Sequence, residues 1–264
     1  MKTAGFIGTG KMGGALAKSV IEKIGGENVL LSDNFKEKVM EIAGESGALC
    51  VDAERVAKEC EFIFLGVKPQ VIDKAISEIK DSLKDRKDAV LVSMAAGVTC
   101  ERITLLLGFE FPIIRIMPNT AVAVGAGTTV YSHNMLVTKE QTEKFCSLLS
   151  LSGLLEPISE ELIDAAMAVS GCGPAFVYYF AKALSDGGVK CGLDEGLSLK
   201  LAEQTVLGAA KLAIATGTDP KQLERDVCSP GGATIEGIYI LENAKTDKTV
   251  ENAVIAAFEK AKKL

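Results

Sequence analysis

Short apolar runs alternate with amphipathic stretches through the first half of the chain, and near residue 160 that rhythm stops. The runs at 3–7, 28–32, 62–67, 89–93, 113–117, 128–131 and 154–157 predict strands; they are too short for buried helices and favour β-branched and aromatic residues. Between them, 11–24, 34–46, 52–59, 69–82 and 140–149 place apolar residues three and four apart and predict helices. Such alternation builds a doubly wound, mostly parallel α/β sheet. Beyond residue 160 no strand is predicted, and alanine-rich helical patterns cover 161–169, 174–186, 194–215, 220–227, 230–243 and 250–262. The chain thus divides into an α/β domain, 1–158, and an all-helical domain, 159–264. Asp219-Pro220 and Ser229-Pro230 each place a capping residue before a proline suited to the first helical position. The pattern at 194–215 is apolar around much of its circumference, more than a small helical core can bury. It predicts a subunit interface, with a central buried helix as the alternative.

Composition narrows the classes. The formal net charge of −6 supplies no field to attract nucleic acid or an anionic membrane. The apolar run after Lys2 is broken by Gly8, Gly10 and Lys11 too early for a secretion signal. No stretch approaches the roughly 18–20 uninterrupted apolar residues of a membrane span. The 7 cysteines are scattered and form no C-x-x-C pair, which points to a reducing, cytoplasmic setting rather than a disulfide framework or thiolate metal site. A single histidine, His133, argues against a His-based metal site or a Ser-His-Asp relay. No metal is expected.

The first predicted strand runs into Ile7-Gly8-Thr9-Gly10-Lys11-Met12-Gly13 and then a helix. This is the Rossmann-type dinucleotide fingerprint: one glycine for the tight turn, one for close approach of backbone to a pyrophosphate, one for helix–strand packing. The helix start offers unpaired N–H groups and a positive dipole end to the diphosphate. The second strand ends at Ser32-Asp33-Asn34, where a ribose selector belongs. Asp33 suits the 2′-hydroxyl of NADH, while Lys36 or Lys38 with Ser32 and Asn34 would serve the 2′-phosphate of NADPH; residue logic leans slightly to NADH. Val67-Lys68-Pro69, Met94-Ala95-Ala96-Gly97 and Asn119-Thr120 lie at further strand ends of the same edge. Small residues there let a flat nicotinamide ring approach the backbone, and the Asn119 amide and Thr120 hydroxyl suit its carboxamide.

In the helical half, Ser229-Pro230-Gly231-Gly232-Ala233-Thr234 reads as a helix start with Ser229 as N-cap. The N–H groups of Gly231, Gly232 and Ala233 are then free for a small carboxylate. With Ser170-Gly171-Cys172-Gly173-Pro174-Ala175, Ala95-Ala96-Gly97-Val98-Thr99, Met117-Pro118-Asn119-Thr120 and Val227-Cys228 ahead of the helix start, these segments run in order along the whole chain. Taken together they resemble the pyrroline-5-carboxylate reductases. Cys172 stands where that family usually has Ser, Ala121 where it has Pro, and Ala233 where Thr is common.

The resemblance implies reduction of 1-pyrroline-5-carboxylate to proline, commonly with NADPH and in many members also NADH. It implies substrate contacts from Val227, Ser229, Gly231, Gly232, Ala233 and Thr234, with Thr234 beside the ring nitrogen, and it makes Glu160 a candidate for the cleft. Thr234 would orient the imine and help relay its proton, because a protonated imine needs positioning more than a strong acid. It further implies homodimers joined through the helical domains, or larger homo-oligomers. Cys172 reads as packing, since hydride transfer needs no nucleophile. A β-hydroxyacid dehydrogenase would need a lysine soon after the Gly-rich turn, where Pro174-Ala175-Phe176-Val177 stand instead. A non-catalytic nucleotide sensor would not require the second anion site.

Overall fold

The structure, a computed structural model, describes residues 2–263, with the Lys38 side chain outside the described residues. It divides into two compact units: Met1–Gly171 with Phe258–Leu264, and Cys172–Ala257.

The first unit is an eight-stranded sheet in the order β3-β2-β1-β4-β5-β6-β7-β8. The strands are β1 Lys2–Ile7, β2 Val29–Ser32, β3 Leu49–Cys50, β4 Cys60–Leu65, β5 Val90–Ser93, β6 Ile113–Pro118, β7 Gly127–His133 and β8 Gly153–Pro157. All neighbours are parallel except β6 and β7. The expected doubly wound, mostly parallel sheet is therefore present. The short edge strand β3 is an addition: two residues give no periodic signal and depend on β2 for their bonds.

The central strands are buried on both faces, which is why they read as unbroken apolar runs. Alternate residues serve two cores. Phe6, Phe64, Val92, Ile114 and Ile116 face α1 (Lys11–Ile24), α2 (Lys36–Ser46) and α6 (Lys139–Leu148). Ile7, Ile63, Leu65, Leu91 and Ile113 face α3 (Ala53–Glu59), α4 (Ile72–Leu83) and α5 (Cys100–Leu107). Phe6 and Phe64 are register partners whose rings stack at 4.5 Å. Helix α5 was absent from the periodicity reading, but its start is well specified: Thr99 accepts the Arg102 N–H and Gly108 closes the helix at φ 80°.

The pattern expected as one helix at 161–169 is three pieces: a 3-10 turn Glu160–Leu162, α7 (Ile163–Ala166) and a π-helical turn Met167–Gly171. This segment is helical yet goes by contact with the sheet unit. The change of rhythm near residue 158 and the division after Gly171 mark different things, one in local conformation and one in packing.

The second unit holds α8 (Gly173–Lys190), α9 (Glu195–Thr216), α10 (Pro220–Asp226), α11 (Ala233–Asn243) and most of α12 (Thr246–Ala261). Asp194 and Asp219 cap α9 and α10, as Asp-led starts predict. Helices α8 and α9 are tied by the buried Ser198 hydroxyl, which donates to the Ser185 carbonyl at 2.7 Å. Little else is covered. In α9 the buried residues are Ser198 and Ala202, while Leu201, Leu207, Leu212 and Ile214 are exposed. The alternative of a central buried helix is thereby excluded within this chain. The helical run Glu160–Lys190 is long and apolar enough by composition to cross a membrane, with a mean hydropathy of 1.2 and 11% of that window buried. It is not an uninterrupted apolar stretch, since Asp164, Ser170, Gly171, Gly173 and Lys182 break it.

Burial also sets the thiol chemistry. It pushes the thiols of Cys60 and Cys100 up to about 12 from 9.0, the Glu160 carboxylate adding to the effect on Cys100. Below the unfolded value both states keep these protons, and stability is unaffected. Between pH 9 and 12 the unfolded chain releases protons that the folded chain retains, so stability falls as pH rises. Urea titrations across that window should show losses approaching about 1.4 kcal/mol per pH unit for each thiol. Replacing Cys60 and Cys100 by Ala should flatten the profile.

Candidate active site

The glycine turn is set by backbone contact. Gly8 leaves β1 at φ 95° and donates its N–H to the Ser32 carbonyl at 2.8 Å. Its own carbonyl oxygen lies 2.1 Å from where a Cβ on Gly13 would stand and 2.3 Å from one on Gly66. No side chain fits at either position, so β1, α1 and the end of β4 close on one another. Gly10 is different: a Cβ there would meet nothing within 4 Å. As N-cap of α1 it brings no side-chain bond, and the first turn carries no acidic residue. The start of α1 therefore presents unpaired N–H groups and a positive dipole end to open space, a cradle that fits a diphosphate.

Register aligns the neighbouring strand ends with this turn. Ile7 pairs with Ser32 and Leu65, Leu65 with Ser93, and Ser93 with Arg115. The carboxyl ends of β1, β2, β4, β5 and β6 thus share one edge, where open α/β sheets bind ligands. Along it lie Ile7, Thr9, Lys11 and Met12 of the turn, Ser32, Asp33 and Asn34 after β2, and Val67, Lys68 and Pro69 after β4. Met94, Ala95, Ala96 and Gly97 follow β5, and Asn119 and Thr120 follow β6. The Val98 N–H closes a turn onto the Ala95 carbonyl, with Gly97 at φ 74° and exposed.

Asn119 is committed elsewhere. Its Oδ1 accepts the N–H groups of Ala121 and Thr128, and its Nδ2 donates to the Ser170 carbonyl at 3.0 Å. The Asn119 amide thus holds the β6–β7 loop and pins the π-helical turn to it. Thr120 stays exposed.

Glu160 bonds within the chain through one carboxylate oxygen. Its Oε1 accepts the N–H of Cys100 at 2.8 Å, at the start of α5, and lies 3.4 Å from Arg115 Nη1. Arg115 Nη2 donates to Asp164 Oδ1 at 3.1 Å. The Arg115 side chain is 3% exposed, so a full charge inside the sheet unit is compensated by two carboxylates at the start of the helical run. Sequence reasoning missed this group. The signal was available: an arginine within Ile113-Ile114-Arg115-Ile116-Met117 must find anionic partners if that run is buried.

In the second unit the expected helix start is corrected. Helix α11 begins at Ala233 with Gly232 as N-cap and no side-chain cap bond. Ser229 is not the N-cap and Pro230 is not the first helical residue. The Gly232 N–H donates to the Ser229 carbonyl at 2.9 Å and Gly231 sits at φ 68°, a β-turn of the Pro-Gly kind. Proline and glycine are better satisfied there than in a helix. The orphan N–H groups of the helix start thus belong to residues 233–235, Thr234 being the second helical residue, and the Gly232 N–H is not free. Val227 ends α10 and is exposed. Cys172 precedes α8 with no His beside it in sequence, and His133 is exposed, its Nδ1 against the Asn134 carbonyl. No metal-ligating cluster occurs among the described residues.

A parallel doubly wound sheet with an open glycine cradle at its switch point defines the class of dinucleotide-dependent oxidoreductase folds. A family model described as pyrroline-5-carboxylate reductase dimerisation matches residues 160–264, and one described as NADP oxidoreductase coenzyme F420-dependent matches 3–97. The pyrroline-5-carboxylate reductase of Escherichia coli is 38% identical over 267 residues, covering 100% of this chain and 98% of its own. That of Arabidopsis thaliana is 38% identical over 98% of this chain and 94% of its own. The crystal structure of the Plasmodium falciparum pyrroline carboxylate reductase with NADP bound superposes with a TM-score of 0.88 at 33% identity, over 99% of this chain and 97% of its own. The Coxiella burnetii enzyme superposes at 0.92 and 32% identity, over 99% and 98%. The chain belongs to the pyrroline-5-carboxylate reductase family.

The Arg115 cluster generates a stability prediction. Arg115→Met should destabilise the sheet unit by about 3–5 kcal/mol in urea unfolding, because it leaves two carboxylates uncompensated. Glu160→Gln, which keeps an acceptor for the Cys100 N–H, should cost about 1 kcal/mol.

Proposed function

We propose that this protein reduces 1-pyrroline-5-carboxylate to L-proline, using NADPH and accepting NADH. The observation that carries this reading is the family relationship over the full chain, joined to the open cradle at the start of α1. When bound, NADPH would supply the hydride for reduction of the C=N carbon.

The chain's own task is placement. The N–H groups at the start of α1 hold the coenzyme diphosphate, and the strand ends at 67–69, 94–97 and 119–120 flank the nicotinamide half. The first turn of α11, at residues 233–235, and the exposed Gly231 N–H receive the substrate carboxylate, with Val227 and Ser229 beside it. What favours this is a helix start with no side-chain cap, preceded by two glycines that leave room for an anion. Thr234 orients the imine nitrogen and helps relay the proton that the ring nitrogen carries. Glu160 serves as an anchor rather than a ligand, since its carboxylate already holds the Cys100 N–H.

The functional halves follow the change of rhythm, 1–158 for coenzyme and 159–264 for substrate and dimerisation. Support for a homodimer or larger homo-oligomer comes from the apolar surface left open on α8 and α9, including Tyr179 at 82% exposed and Ile214 at 83%. The reading is that of a cytoplasmic enzyme without nucleic-acid or membrane partners, in keeping with a net charge of −6 and unpaired cysteines.

Loss of absorbance at the nicotinamide band with pyrroline-5-carboxylate, run with NADPH and with NADH, tests the activity; no turnover with either coenzyme would sink it. Thr234→Ala should lower kcat/KM by about 10- to 100-fold, the worth of one hydrogen bond to a charged group. Full activity in that variant would remove Thr234 from the site. Dilution to a proven monomer should abolish turnover, and unchanged specific activity would refute the dimer.

A further inference from the structure

Asp33 ends the second strand, where the dinucleotide fingerprint places an acid that bonds the ribose hydroxyls and repels a 2′-phosphate. Here its carboxylate is taken up by the chain. Thr9 donates its N–H to Oδ2 at 2.6 Å and holds its hydroxyl 3.3 Å from the same oxygen. The Phe35 N–H donates to Oδ1 at 2.9 Å, closing a turn before α2. Thr9 is 3% exposed, so its N–H has no water to fall back on. One residue earlier, the Gly8 N–H meets the Ser32 carbonyl at 2.8 Å. The β1–α1 and β2–α2 loops are therefore stitched by two successive bonds, one backbone to backbone and one backbone to side chain.

Oδ2, which takes both Thr9 contacts, could turn to a ribose only by releasing a buried N–H, whereas Oδ1, bonded once, keeps a lone pair on the exposed side of the turn. Three donor contacts also offset much of the charge that a 2′-phosphate would meet. Lys36, the first residue of α2, is exposed and has no ion-pair partner among the described residues, which puts a cation beside the same turn. We propose that Asp33 is a positioning residue for the glycine turn and not a coenzyme selector. It fixes Thr9, and through it Gly10, so that the start of α1 stays open to a diphosphate whatever substituent the ribose carries. The acid that a motif reading would take as a preference for NADH is then compatible with NADPH. This inference rests on the coenzyme assignment made above.

The test is a fluorescence titration of NADPH and of NADH into wild type and Asp33→Asn, with melting of each ligand-free protein alongside. An amide keeps an acceptor for the Phe35 N–H or for Thr9, but not for both through a full charge. The expected result is a lower ligand-free melting temperature and a Kd raised about tenfold for both coenzymes, with their ratio within about twofold of wild type. A selector would behave otherwise: NADPH would gain about tenfold or more over NADH with ligand-free melting unchanged, and that overturns the proposal. A lower melting temperature with both Kd values unchanged overturns it too, since Asp33 would then merely cap a turn. Asp33→Ser gives the same comparison should Asp33→Asn fail to fold. Wild-type protein that binds neither coenzyme would refute the coenzyme assignment itself, a result distinct from any change in the ratio, and the proposal would fall with it.

Discussion

The carbonyl oxygen of Gly8 occupies the space that a side chain on Gly13 or Gly66 would need. Three segments meet there: the end of the central strand β1, the first turn of α1 and the end of β4. Because β1 pairs with β2 on one side and β4 on the other, this contact lies where the strand order reverses, the place at which a crevice opens in such sheets. The absence of Cβ atoms allows the close approach, and the close approach aims α1 along the edge. At Gly10, by contrast, an added Cβ would meet nothing within 4 Å, so the turn leaves open space there. The same residue type thus does opposite work within one motif, filling contact at two positions and leaving space at another.

A second constraint runs through the interior. Arg115 stands on a strand whose other residues are all apolar, and its charge is answered by Glu160 and Asp164 from the segment that follows the sheet. Glu160 also holds the start of α5, and Asn119 holds the carbonyl of Ser170. The helical run 160–171 is thereby fixed to the sheet by polar bonds at both ends, with the apolar Ile163 buried between them. These bonds cost the desolvation of a guanidinium, which well-packed apolar residues would avoid. Their gain is direction, since they fix the run 160–171 on the sheet of its own unit.

The helical unit follows another logic. Aspartates cap α9 and α10, yet few side chains of the unit are buried, and large apolar residues remain on the surface. A unit of this kind gains little from folding alone and much from covering that surface. The family model matching this half carries dimerisation in its description, which accords with that shortfall.

Much of this was legible in the residues. Periodicity located seven of the strands and the two-part layout, because strands buried on both faces and amphipathic helices each leave a repeating pattern. The glycine turn and the ordered motifs identified the coenzyme edge and the family. The pattern was silent where structure depends on distant partners: β3 exists only against β2, the π-helical turn only against Asn119, and the Arg115 cluster only once residues 115, 160 and 164 meet. Ser229-Pro230-Gly231-Gly232 satisfied two local rules at once, a capped helix start and a Pro-Gly turn, and tertiary structure chose the turn. By itself the sequence determined most of the helices and strands, since those depend on neighbours a few residues away. Where each committed polar group ended up, Asp33 on Thr9 and Glu160 on Arg115, was decided by the fold, because a buried donor or charge takes whichever partner the packed chain brings within reach.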